Sequence, residues 1–146
     1  MTLDPAIQEM TDRLAIRDVM ARYARGLDRR DFDLVASCFT SDAYADYGTS
    51  SGQGVDKIVE ITRAVLRFHH TTHFMGNQLV DLQGDTVNVE TYAIDYLRFT
   101  KDGRDYDMWG GLRYEDTFVR QNGEWRIKHR VMHTDWRRYD PVTTAP

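Results

Sequence analysis

The chain has 146 residues, 41% hydrophobic and 29% charged, the composition of an ordinary water-soluble domain. A formal charge of −4 argues against nucleic acid as the main partner, and no apolar run approaches the roughly 18 residues that a membrane span needs. The polar N-terminus lacks a signal peptide's apolar stretch and Cys38 is the one cysteine, so no internal disulfide forms and a cytoplasmic location is expected.

Asp4-Pro5 reads as an N-cap followed by a first-position proline. Ile7, Met10, Leu14, Ile16, Val19, Met20 and Tyr23 keep helical spacing as far as Gly26, the expected stop. A short helix opens at Asp31, with Phe32, Val35, Cys38 and Phe39 on its inner side, and ends at Thr40-Ser41-Asp42. Residues 43–47 read as a short strand, followed by a loop with Gly48, Gly52 and Gly54, and residues 55–68 as a third helix. Hydrophobic spacing then changes from helical to alternating. Four long strands are expected at 72–82, 86–99, 105–121 and 124–137, joined by Gln83-Gly84-Asp85, Lys101-Asp102-Gly103 and the hairpin signal Asn122-Gly123. Gly110-Gly111 inside the third of these signals a bulge or a close backbone approach. Strands joined by hairpins make an antiparallel, bent sheet whose concave face the earlier helices must cover. The expected class is α+β: a helix-lined cone, a strongly bent mixed or antiparallel sheet on three N-terminal helices. It forms a single domain over residues 1–139, followed by a loose tail at 140–146.

Two residues carry the chemistry. Asp28 lies just past the expected end of the first helix, where the backbone dipole disfavours negative charge. His73 lies in Thr72-His73-Phe74-Met75-Gly76-Asn77, at the start of the first long strand. A histidine that gives its ring N–H to Asp28 keeps the carboxylate ionised, and its other ring nitrogen is then a general base. The bland alternative makes Asp28 a turn residue and His73 a satisfied core histidine. His69, His70 and His73 share no helical face if a strand begins before position 73, and no third ligand stands at a familiar spacing, so no metal is expected. On the last strand, the apolar alternation of Trp125, Ile127 and Val131 points His129 into the cone.

The order helix, short helix, strand, helix, four-strand meander resembles the cone fold of the nuclear transport factor 2-like superfamily, and within it the SnoaL-like group. The similarity is carried by Ile16-Arg17-Asp18-Val19 to Tyr23, Gly26-Leu27-Asp28, Asp33 to Phe39, Thr72 to Asn77, Gly110-Gly111 with Tyr114-Glu115-Asp116, and Asn122 to Ile127. The resemblance implies that Asp28 and His73 form the aspartate–histidine dyad of the group's dehydratases and dehydrochlorinases. It implies that Tyr23 and Tyr47 are phenolic donors in the pocket and that Trp109 lies near it. It turns Arg130, not His129, toward the substrate, as the arginine that helps the leaving group.

The function expected is that of a cofactor-independent lyase of dehydratase type, acting on a small hydrophobic, cyclic, oxygenated substrate. His73 is the base, Asp28 orients it, Tyr23 and Tyr47 donate to the developing oxyanion, and Arg130, Trp109 or His129 contact the substrate. The alternatives are a polyketide cyclase or ketosteroid-type isomerase, and a non-catalytic ligand-binding or assembly module. Apolar side chains on the outer sheet face, with Val87 and Val89 as candidates, lead to the expectation of a homo-oligomer, trimer or dimer.

Overall fold

The computed structural model describes residues 2–143. Helix α1, Pro5–Arg29, starts where Asp4 accepts a hydrogen bond from the Ala6 N–H at 2.9 Å. It runs three residues past Gly26 and stops at Arg30, which takes a left-handed conformation with φ of 60°. Gly26 serves packing, not termination. A Cβ there would lie 2.7 Å from Val35 Cγ2 and 3.0 Å from the Asp31 carbonyl, so α1 and the next helix touch backbone to side chain.

That second helix, α2 (Phe32–Ser37), is capped by the Asp31 carboxylate, which accepts from the Leu34 N–H at 3.0 Å. Strand β1 (Phe39–Asp46) begins four residues earlier than alternation suggests, because Phe39 and Thr40 are buried against the last strand. The glycine-containing loop holds a short strand, β2 (Ser51–Gln53), paired antiparallel to β1. Helix α3 (Val55–Thr62) tightens into a 3₁₀ turn over Arg63–Arg67. Four long strands follow: β3 (His70–Gln83), β4 (Thr86–Lys101), β5 (Arg104–Gln121) and β6 (Glu124–Pro141). Asp140 and Pro141, expected in a loose tail, pair with Asp107 and Tyr106, while Thr144–Pro146 lie outside the described residues.

The sheet order is β2-β1-β6-β5-β4-β3, parallel between β1 and β6 and antiparallel elsewhere, and the sheet is not closed. Long meander strands bend over α1, which packs on β3 and β6. On β4 the inward parity is Val87, Val89, Thr91, Ala93, Asp95 and Leu97, all buried. Val87 and Val89 therefore belong to the core, not to the outer face. The convex face instead carries Tyr92, Ile94, Phe74, Trp109 and Trp136, all exposed. No helix among the described residues is long and apolar enough to cross a membrane.

Two irregularities in β6 decide which of its side chains reach the interior. Phe118 pairs with Ile127 but Thr117 pairs with His129, so Lys128 is an extra residue. Gly111 pairs with Trp136 but Leu112 with Thr134, so Asp135 is a second. Each bulge flips the inward parity of β6. The inward series therefore runs Trp125, Ile127, Arg130, Met132, Thr134, Arg137, Tyr139.

The contact at Gly26 is open to test. Gly26→Ala places a methyl group against backbone and a buried valine, and is expected to destabilise the fold by about 1–3 kcal/mol. Urea unfolding checks this through a lowered midpoint at unchanged slope.

Candidate active site

Because α1 continues beyond Gly26, Asp28 sits in its last turn, one residue before the helix ends. His73 is the fourth residue of β3, the edge strand that lies along α1. The two side chains meet. His73 Nδ1 is 2.7 Å from Asp28 Oδ1, and the His73 backbone N–H donates to Oδ2 at 2.9 Å. The Thr71 hydroxyl, also inward on β3, donates to Oδ1 at 3.0 Å. Burial pushes the Asp28 carboxyl upward, but the His73 ring, the His73 backbone N–H and the Thr71 hydroxyl outweigh it and hold the group below its ordinary value of 3.8. An ionised carboxylate only accepts hydrogen bonds, so Nδ1 carries a ring proton, and in the neutral imidazole it is Nε2 that holds the lone pair. No side chain among the described residues hydrogen-bonds Nε2.

A third residue, invisible in the sequence pattern, fixes this arrangement. Arg30 folds back from its left-handed position, and its Nη1 donates to the Leu27 carbonyl at 2.7 Å and to Thr71 Oγ1 at 2.6 Å. Its Nη2 donates to the Phe68 carbonyl at 3.2 Å. Thr71 thus accepts from Arg30 and can give its own proton only toward Asp28.

The dyad opens into a groove of about 360 Å³ between α1 and β3, lined by Met20, Ala24, Met75 and Gln78 with Arg17 and Arg25 at the rim. The larger cleft, about 720 Å³, lies where α1 meets the β5–β6 hairpin, around Asp12, Arg120 and Trp125, and does not contain the dyad.

The remaining expected site residues divide. Tyr23 and Tyr47 meet, the Tyr23 hydroxyl donating to the Tyr47 oxygen at 3.0 Å. Burial raises both phenols above their ordinary value, Tyr23 strongly, so both stay neutral donors. Arg130 faces inward and is fully buried; its Nε and Nη2 donate to the two Asp116 oxygens at 2.7 and 2.8 Å. Its guanidinium carbon lies 4.3 Å from the Tyr23 ring centre and 4.4 Å from that of Tyr114. Its Nη1 is buried without a hydrogen-bond partner among the described residues. Neither Tyr23, Tyr47 nor Arg130 hydrogen-bonds the dyad itself.

His129 does not enter the cone: the Lys128 bulge turns it outward, where it is exposed and stacks on Tyr44 at 5.2 Å. Trp109, expected near the pocket, also faces outward. It lies opposite Tyr96 on the convex face, 4.9 Å between ring centres, because its neighbours Met108 and Gly110 hold the inward parity. His69 turns its Nε2 to Thr100 Oγ1 at 2.7 Å, away from His73.

Residues 8–131 match the SnoaL-like domain. The chain belongs to the SnoaL-like family. An uncharacterised protein of Mycobacterium tuberculosis is 35% identical over 131 residues, covering 86% of this chain and 87% of its own. A candidate scytalone dehydratase from Novosphingobium aromaticivorans superposes with a TM-score of 0.81 at 24% identity, over 96% of this chain and 95% of its own. The type 3 hexachlorocyclohexane dehydrochlorinase of Novosphingobium barchaimii gives 0.81 at 18% identity, over 97% and 99%. At these identities the structural likenesses show the α+β cone fold alone, which this chain shares with proteins named as a dehydratase and a dehydrochlorinase.

The depressed Asp28 carboxyl has a measurable consequence. A group whose folded value lies below its unfolded one contributes stability that is present above the unfolded value and lost as pH falls through the folded one. The stability difference between wild type and Asp28→Asn is therefore expected to be largest above about pH 4 and to shrink below 3.8. Urea unfolding at a series of pH values checks it; a difference independent of pH would contradict the assignment.

Proposed function

We propose that this protein is a cofactor-independent lyase that uses His73 as general base in a dehydratase-type elimination on a small, hydrophobic, cyclic, oxygenated substrate. The observation that carries the proposal is the 2.7 Å hydrogen bond between His73 Nδ1 and Asp28 beside a groove that both residues line, which commits the neutral ring's proton to Nδ1 and leaves Nε2 as the basic nitrogen. Nε2 takes a proton from a carbon beside a carbonyl, the C–H electron pair becomes the new double bond, and the leaving group departs with its bonding pair. Asp28 stabilises the imidazolium formed in that step. Tyr23 and Tyr47 are the proposed donors to the developing oxyanion or the departing hydroxyl, and the unpartnered Nη1 of Arg130 adds positive charge at the same inner end. Positioned acid–base groups contribute typically 10²–10⁴-fold each, so exclusion of water by the apolar lining must add to them.

His73→Gln keeps a hydrogen-bonding side chain of similar size but no base. Turnover of a hydroxy-carbonyl substrate is expected to fall at least 10²-fold with the melting temperature nearly unchanged. A large loss of thermal stability with retained specific activity would return His73 to a structural role.

The exposed apolar residues of the convex sheet face further support a homo-oligomer, as trimer or dimer, since such patches are unusual on monomers. Light scattering at micromolar concentration is expected to give a multiple of the 17.0 kDa chain mass. A mass at that of the single chain would rule out the assembly.

A further inference from the structure

One register row crosses the concave face through four strands: His73 on β3 pairs with Asp95 on β4, Asp95 with Gly110 on β5, and Gly110 with Arg137 on β6. All four positions have the inward parity. Asp95 is 3% exposed, a carboxylate placed beside the dyad on a face otherwise built from Ala93, Leu97 and Leu112. Its partner reaches it from two strands away: Arg137 Nη1 donates to Asp95 Oδ1 across Gly110. Only glycine permits this crossing. A Cβ at position 110 would lie 2.0 Å from Arg137 Nη1 and 2.4 Å from Asp95 Oδ1.

Stability alone does not account for the pair, since buried ion pairs roughly break even against apolar side chains of the same volume. Arg137 is also incompletely used. Asp95 takes one of its donors, Nε and Nη2 have no partner among the described residues, and a quarter of the side chain remains accessible. Further along the same strands lies an aromatic cluster: Phe99 stacks on Tyr106 at 5.6 Å and meets Phe68 and Tyr139 edge-on at 6.3 and 6.4 Å. A guanidinium held by one carboxylate, with two donors unused on a face that carries aromatic rings further along, suits an anionic oxygen on a flat ring.

We propose that Arg137, held over Gly110 by Asp95, is the anchoring site for a carboxylate borne by an aromatic substrate, two strands across the concave face from His73. The inference deepens the lyase proposal by naming the substrate class. Neighbouring strands lie about 4.8 Å apart, so the guanidinium over Gly110 stands roughly two strand spacings, about 10 Å, from His73. That separation matches a bicyclic carbon skeleton carrying one carboxylate.

The test uses 1-naphthoate and its neutral isostere 1-naphthamide as probes, titrated by calorimetry. The wild-type protein is expected to bind naphthoate at least tenfold more tightly than naphthamide. Arg137→Met is expected to erase that preference while leaving naphthamide affinity within twofold. Because Arg137→Met strands a buried carboxylate and can impair folding, the double variant Asp95→Leu with Arg137→Met removes both charges and is expected to behave in the same way. Arg138→Met, at an exposed neighbour paired with Asp140, is expected to keep the preference. Equal affinities in the wild type, no binding of either probe at millimolar concentration, or a preference that survives in the double variant would overturn the anchor. Binding in His73→Gln separates the two proposals: loss of turnover belongs to the base, and the preference for naphthoate is expected to persist there.

Discussion

The Asp28 carboxylate is the joint on which the geometry of the site depends. It projects from the last turn of α1, where the helix dipole and partial burial both disfavour its charge, yet it stays ionised because β3 supplies three donors. Two of these come from the backbone and ring of the same residue, His73, so the carboxylate fixes strand position and imidazole orientation together. Arg30 completes the joint by capping α1 and spending a guanidinium N–H on Thr71. Helix end, strand start and imidazole orientation are one cooperative unit, and a change in any of them would be felt by the others.

The interior of the cone contains a second unit of a different kind. Arg130 and Asp116 are both fully buried, and the guanidinium is enclosed by the rings of Tyr23, Tyr114 and Phe39. Burial alone would lower the arginine, but Asp116 and the surrounding phenols overcome it and hold the charge firmly. Removing one partner of such a pair typically costs about 3–5 kcal/mol, whereas replacing both by apolar groups is often neutral. The pair is thus weak support for stability, but it fixes a positive charge beside the neutral Tyr23–Tyr47 hydroxyls.

Bulges distribute these residues. A regular β6 would carry Trp125, Ile127 and His129 on one face and leave Arg130 on the other. One extra residue at Lys128 brings Arg130 inside, and a second at Asp135 does the same for Arg137. Gly110 and Gly111 stand where the β6 side chains Arg137 and Trp136 pass over β5, each leaving space that a Cβ would occupy. A regular meander could not direct both arginines to the concave face.

By itself the sequence determined the class of fold and the order of the helices and long strands, and its resemblance to the SnoaL-like group paired Asp28 with His73. Those features are local: caps, turn residues and hydrophobic periods act over a few positions, and the dyad stands in two short, recognisable contexts. The tertiary structure decided where α1 ends, because Gly26 answers to Val35 across the helix pair and not to the chain's own stop signal. It decided that Arg130 faces the core, that His129 and Trp109 face outward, and that β1 joins β6 in parallel. It alone revealed the row of Asp95, Gly110 and Arg137, whose members come from three strands. A bulge leaves no local mark in an alternating pattern, and a contact between strands depends on register, which only the packed sheet fixes.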